Sequence, residues 1–558
     1  MHLLRSLFIF FFLICFVREL SIAQTLPSGP QVLTFFSDID DTEQPYGLYI
    51  PKNYDQTKKY PLVVMLHGAG SNHRLSLRRV FGKSNANGET DVEASRYFPE
   101  WKDVDFIVAS PYARGTAGYQ GVPEKDVYDV LDDVKKRFNI DEDRVYLTGL
   151  SMGGGGTLWI GLTRPDIWAA IAPVCPAPPK GTDSLAVNAF NLPVHFFHGD
   201  KDPVVPVDIS RNWVERLKKN GSRAEYKEFP GVQHDSWVNA YENGFIFDWF
   251  SPFKRNNYPD RVKFNTMQLK YNKAYWVTFD QVNPGALASI DAKFIGPNKL
   301  EVSINNSTGF TLNLKDHPKF KSGDAIQLTI NGKKVQAASA DVVSLILDKG
   351  KWSIGKYTPG NNSKKTGLSG PLSEVFAERH VYVYGTAGNP SAEELKNRMK
   401  IAEEAANWSV YRGAFLGRMM FFPRVVADKD VRASDLETSN LVLFGTKETN
   451  FLIEEYSGDL PLQLNQEYVK DHGLFYVFPM NGKHIAVSSG LPWWTNYKVE
   501  GIRFLPQHFM IINDTKDFLL FKESANTVLS GGYFDNNWKL PAAAIEKIKA
   551  TGVVSVKE

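Results

Sequence analysis

Cysteine is nearly missing from this chain. There are 2 in 558 residues, Cys15 and Cys175. Because Cys15 falls in a segment expected to be removed, no internal disulfide can form in the mature monomer, and stability must come from large apolar cores. Beyond the N-terminus no run has the length and apolarity of a membrane-spanning helix. An excess of charge of either sign is also absent: 64 Lys and Arg balance 62 Asp and Glu, for a formal net charge of +2. That balance gives no reason to expect nucleic acid or an anionic membrane surface as a partner. The histidines are scattered, with no paired cysteines and no His-x-x-x-His on a helix, so no metal site is signalled. The chain carries neither the Gly-rich dinucleotide fingerprint nor a P-loop, and no cofactor is expected.

What is present begins with residues 1–23. His2 and Arg5 precede an apolar run from Leu7 to Val17, too short to cross a bilayer, and Ser21-Ile22-Ala23 offers small residues for cleavage. This reads as a secretory signal with Gln24 as the mature start, and so as an exported, periplasmic or secreted bacterial protein. The remaining length calls for two to four domains.

The most informative stretch is Val145-Tyr-Leu-Thr-Gly-Leu-Ser-Met-Gly-Gly-Gly-Gly-Thr157. An apolar run at Val145–Leu147 predicts a buried strand, and a helix-compatible segment follows from Thr157. A serine on a sharp strand-to-helix turn needs small neighbours, which Gly149 and Gly153 supply, and such a turn lifts the Ser151 hydroxyl above the sheet edge. A weakly nucleophilic serine needs a base, a group to orient that base, and donors for the oxyanion. His198-Gly-Asp-Lys-Asp202 follows a predicted strand at 194–197, with Asp202 the first candidate for the orienting carboxylate and Asp200 the second. His234 lies in the loop Gly231–Trp237 after the last predicted strand and is the candidate base. The amides of Met152 and of the His67-Gly-Ala-Gly70 loop, Ala69 first, are the candidate oxyanion donors. His67 and His198 are read as structural, bracing the oxyanion loop and the Asp202 loop.

The order Ser151, Asp202, His234 is that of α/β-hydrolases. Segment 126–154, with Asn139-Ile-Asp-Glu-Asp-Arg-Val-Tyr before Thr148-Gly-Leu-Ser-Met-Gly-Gly, resembles secreted esterases of the polyhydroxybutyrate-depolymerase and feruloyl-esterase type. It is also similar to the catalytic domain of prolyl-oligopeptidase-like hydrolases. The resemblance spans roughly residues 40–250. It implies an α/β-hydrolase fold and a Ser151–Asp202–His234 triad. It also implies a carboxylic ester hydrolase removing acetyl or feruloyl groups from polysaccharide, or else a peptidase with the same triad. Those peptidases usually carry a large β-propeller before the hydrolase domain. Only about twenty residues separate the signal from the first predicted strand, which favours the ester substrate.

The rest of the chain divides by pattern. Residues 24–255 alternate strand-like and helix-like segments, as α/β layers do. Residues 256–356 show short alternating runs with a hairpin at Asn331-Gly332 and read as a β-rich domain. Residues 357–378 read as an exposed linker, and 379–558 as a second α/β region. There His380–Tyr384 and Leu441–Phe444 each run into a Gly-Thr pair, and Ser391 with Glu394 marks a helix start. Tyr275/Trp276, Trp352 and above all Trp493-Trp494 are candidate stacking platforms for sugar.

Overall fold

The computed structural model describes residues 26–360, 363–408, 421–498 and 507–557. The signal-peptide reading falls outside these residues. Among them no helix is long and apolar enough to cross a membrane.

Eight strands build the first sheet: β1 (Gly29–Ser37), β2 (Thr42–Ile50), β3 (Tyr60–Leu66), β4 (Ile107–Pro111), β5 (Ile140–Leu150), β6 (Ala170–Val174), β7 (Val194–Gly199) and β8 (Ala224–Phe229). Their order is β1-β2-β4-β3-β5-β6-β7-β8. The hairpin β1–β2 is antiparallel and joins β4 antiparallel, while every other pair is parallel. This is the α/β-hydrolase fold. Every residue of β3 and β6 is buried, as central parallel strands covered by helices on both faces require. The helix Val122–Arg137 buries Val127, Val130, Leu131 and Val134, the face its spacing predicts. The strand read at Val145–Leu147 is longer in the fold, because polar residues from Asp141 to Arg144 extend it toward the solvent end. Strand β1 escaped the sequence reading: it lies at the sheet edge, half-buried over most of its length, so no alternation marks it.

The second layer system is a β-sandwich of two five-stranded sheets, drawn from residues 261–354, sharing one core. The Asn331-Gly332 hairpin forms as expected, with φ of +47° and +78° and Ile330 opposite Lys333. The run Ala274–Phe279 alternates as one strand would but forms two, because Tyr275 turns at φ +54° and folds Ala274 back onto Val277.

The third body is a seven-stranded mixed sheet. It runs Arg424–Ala427, His380–Tyr384, Asn440–Phe444, Lys483–Gly490, His472–Met480, Phe518–Lys522, Ser524–Gly532. The first four strands are mutually parallel and the last three antiparallel. Ser391 accepts the Glu394 amide at the start of Ala392–Ala405. Two readings fail here. The 357–378 stretch is not simply exposed: Lys364 is buried and ion-paired with buried Asp517, and Leu372–Val375 is a short helix. Trp493 is fully buried and stacks on Phe475 with ring centroids 4.2 Å apart, while Trp276 and Trp352 are core residues. Their aromatic area is spent on packing, which leaves none of these three as a sugar platform.

The bodies are fastened to the hydrolase sheet by polar contacts. Tyr271 donates to Glu124 at 2.5 Å, Asn188 bridges to Asn265, and Arg379 forks onto Asp41.

Candidate active site

Ser151 sits between β5 and the helix Met152–Thr163 at φ 55°, ψ −116°, a conformation costly for any residue with a Cβ. The surrounding glycines make it possible. A Cβ on Gly149 would lie 2.4 Å from the Gly153 carbonyl oxygen, and one on Gly153 would lie 2.3 Å from that of Leu66. The two turns of backbone are in direct contact, and no larger residue fits between them. The Ser151 carbonyl is held by the amides of Gly155 at 2.9 Å and Ala177 at 3.1 Å, which fixes the turn against the loop after β6.

His234 is brought to this turn by the loop after β8. Its Nε2 lies 2.9 Å from Ser151 Oγ and its Nδ1 lies 2.7 Å from Asp202 Oδ2. Asp202 comes from the loop after β7. Its Oδ1 accepts the amides of Val204 and Val205 at 2.8 and 2.9 Å, and its Oδ2 faces His198 Nε2 at 3.2 Å. Burial pushes the Asp202 carboxyl up, but the His234 and Val204/Val205 donors outweigh it and hold the group below its usual range. Asp200 points elsewhere, accepting the Gly231 amide at 2.6 Å. The structure therefore brings Ser151, Asp202 and His234 into one chain of hydrogen bonds and leaves Asp200 outside it.

His198 is fully buried. Its Nδ1 meets Ser210 Oγ at 2.7 Å and its Nε2 meets both Asp202 and the Val205 carbonyl. Two acceptors at Nε2 place the proton there, so Ser210 donates to Nδ1 and the ring is a neutral donor that buttresses Asp202. His67 is buried too, its Nδ1 and Nε2 each 2.8 Å from a carbonyl, of Gly68 and Tyr112, and Tyr119 donates to the His67 carbonyl at 3.0 Å. Burial lowers its pKa. In the following loop the Gly70 amide is taken by Thr116 at 2.8 Å and that of Ser71 by the Gly68 carbonyl. Ala69 is the residue between the braced histidine and these engaged amides.

Cys175, Asp202 and His234 each bring a possible ligand atom within 4.8 Å of the others. Burial pushes the Cys175 thiol up to about 12, so it stays protonated, and both nitrogens of His234 are already engaged.

A groove of about 460 Å³, which sequence reasoning missed, lies between the segments after β6 and β7. Ala177 and Pro178 form one wall, and Val204, Pro206, Ile209 and Trp213 form the other. These residues come from the loop after β6 and from the loop and helix after β7, more than twenty positions apart, and nothing local in the sequence marks them as neighbours.

Residues 53–243 match the phospholipase/carboxylesterase family. That domain is a carboxylic ester hydrolase. The matched relatives include feruloyl esterase D of Neurospora crassa, 25% identical over 38% of this chain and 77% of that protein. A bifunctional acetylxylan esterase/xylanase of Neocallimastix patriciarum is 30% identical over 31% of this chain and 23% of its own length. Dipeptidyl-peptidase 5 of Aspergillus oryzae is 21% identical over 39% of this chain and 34% of that protein. Among solved structures, a thermostable esterase is 27% identical, with a TM-score of 0.34 over 40% of this chain and 63% of its own. All these matches leave more than half of the present chain uncovered.

Proposed function

We propose that the protein is a secreted serine esterase that removes acyl groups, acetyl or hydroxycinnamoyl, from polysaccharide. Ser151 is the nucleophile, His234 the general base and Asp202 the group that orients it. The observation that carries this reading is the pair of contacts at His234, 2.9 Å to Ser151 and 2.7 Å to Asp202. His234 Nε2 takes the Ser151 proton as Oγ attacks the ester carbonyl. The same nitrogen then gives that proton to the departing alcohol, leaving an acyl-enzyme. A water attacks along the same path, passing its proton to His234, and the acid leaves as Ser151 recovers its hydrogen. Asp202 stays ionised throughout and holds the Nδ1–H tautomer. The amides of Met152 and Ala69 receive the oxyanion.

The groove lined by Pro178, Val204, Ile209 and Trp213, with Asp183, Asn212 and Arg216 as its polar members, offers an apolar surface that supports an acyl group larger than acetyl. The names of the relatives, feruloyl and acetylxylan esterases, agree with this substrate class. The test is to incubate residues 24–558, beside a Ser151→Ala control, with acetylated polysaccharide, feruloylated polysaccharide and a peptide mixture, and to identify the released small molecules by mass spectrometry. Ferulate or acetate released only by the wild type supports the proposal. Peptide cleavage without release of either acid replaces it with the peptidase reading.

A further inference from the structure

The third body carries a crevice that the esterase chemistry does not use. In its sheet the chain passes from His380–Tyr384 to Arg424–Ala427 on one side, then returns to Asn440–Phe444 on the other. The direction of winding reverses between His380–Tyr384 and Asn440–Phe444. In open α/β sheets the two loops leaving such a pair of strands diverge, and ligands bind outside the carboxyl ends there. A cavity of about 210 Å³ lies beside this point, at the end of Asn440–Phe444. The two Gly-Thr pairs of the sequence stand here. A Cβ on Gly385 would lie 2.0 Å from the Thr449 carbonyl, and Gly445 takes φ +122°. Arg398 staples the two loops by donating from Nη1 to the carbonyls of Gly385, Ala387 and Thr449 at 3.2, 2.9 and 3.1 Å.

The lining decides the kind of ligand. Phosphate groups bind such crevices through loop amides, but here the lining amides of Gly445 and Thr446 are taken by the Ser488 carbonyl and the Thr449 hydroxyl, and those of the neighbouring loop by an internal carboxylate. Asp428 Oδ2 accepts the amides of Thr386 at 3.0 Å and Phe451 at 2.8 Å, and its Oδ1 accepts the Thr386 hydroxyl at 2.7 Å. The lining cation, Arg398, is compensated by Glu394 and by its three carbonyls. An anionic ligand would meet the Glu394 carboxylate in the lining, with Arg398 already compensated. What remains is neutral hydrogen-bonding chemistry over an apolar surface. Gln466 Oε1 accepts from Thr446 at 2.8 Å, which turns the amide nitrogen of Gln466 free as a donor, and Ser488 adds a hydroxyl. Phe444 and Pro492 supply the apolar side. A sugar ring presents this pairing, hydroxyls at its edge and C–H groups on its face.

We propose that this crevice is a second ligand site that binds one uncharged sugar residue, separate from the Ser151 centre and independent of what that centre hydrolyses. The proposal is tested on the full mature chain carrying Ser151→Ala, by calorimetric titration and ligand-observed NMR. The probes are D-xylose, L-arabinose, D-galactose and xylotetraose, with AMP as the anionic comparison. Saturable binding of at least one sugar is expected, with no binding of AMP. Gln466→Leu, at an exposed position, should weaken sugar binding about tenfold, the usual effect of losing one well-placed hydrogen bond to a ligand. The same substitution in the Ser151-containing chain should leave hydrolysis of a p-nitrophenyl ester unchanged. Three results would overturn the site: no saturable binding of any sugar, sugar binding untouched by Gln466→Leu and by Thr446→Val, or AMP binding that the sugars displace.

Discussion

Replacing Gly155 by alanine sets two magnitudes against each other. Gly155 lies inside the helix Met152–Thr163, where alanine is intrinsically better by about 1 kcal/mol. By propensity alone Gly155→Ala should stabilise. The surroundings argue otherwise, because a Cβ there would stand 2.0 Å from the Ala177 carbonyl oxygen and 2.4 Å from its carbon. Ordinary contact starts at 3.4 Å, so about 1.4 Å of separation must be found between two backbones, neither of which can rotate away. The Gly155 and Ala177 amides are also the two donors to the Ser151 carbonyl, so any such movement tilts the turn that carries Ser151. A misplacement of about 1 Å in a reacting group costs on the order of 100-fold in rate. The expected result is a kcat for a p-nitrophenyl ester lower by about 100-fold or more. Labelling of Ser151 by a fluorophosphonate should slow in parallel, while the far-ultraviolet circular dichroism is retained. A variant as active as the wild type, and more heat-stable, would refute the idea that this glycine is kept for the backbone contact.

Three further outcomes follow from the same structure. Asp202→Asn should lower kcat by about 10⁴-fold with little change in folding, because an amide in place of the carboxylate no longer enforces the Nδ1–H tautomer of His234, and steady-state kinetics measures it. Ile209→Trp should raise KM for a feruloyl ester about tenfold and leave acetyl-ester hydrolysis near wild type, since it fills the groove walled by Pro178 and Trp213. Burial pushes the Glu374 carboxyl up to about 7 from an ordinary 4.5, against two hydrogen bonds from Ser369. The folded chain therefore keeps a proton that the unfolded chain has released, so this group's contribution to stability is greatest below pH 4.5 and falls through the window up to 7, by about 3 kcal/mol in all. Glu374→Gln removes this dependence while keeping an oxygen for Ser369. Its melting temperature relative to wild type should climb between pH 4.5 and 8, and parallel curves would refute the assignment.

Much of the catalytic half was legible because its signals are local. Gly149-x-Ser151-x-Gly153 encodes a steric requirement within five residues, and the order Ser151, Asp202, His234 follows from which loops leave the carboxyl ends of parallel strands. The choice of Asp202 over Asp200 was not local. Both lie in one loop, and only the folded loop shows that the Val204 and Val205 amides and His198 surround Asp202 while Asp200 turns to Gly231.

The C-terminal half was less legible for the same reason. Alternation and turn residues marked its strands, but Trp493 and Trp352 look the same in sequence whether they face solvent or core, and the fold buries both. The crevice beside Gly445 needed strand order, since a reversal of winding is a relation between strands and not a property of any one of them. By itself, the sequence determined the layer types, the serine turn and the set of candidate groups, because each rests on periodicity or on the size of adjacent residues. Only the tertiary structure decided which carboxylate meets His234, which aromatics are accessible and where the two crevices lie. Those depend on contacts between segments tens of residues apart, whose energies no local pattern records.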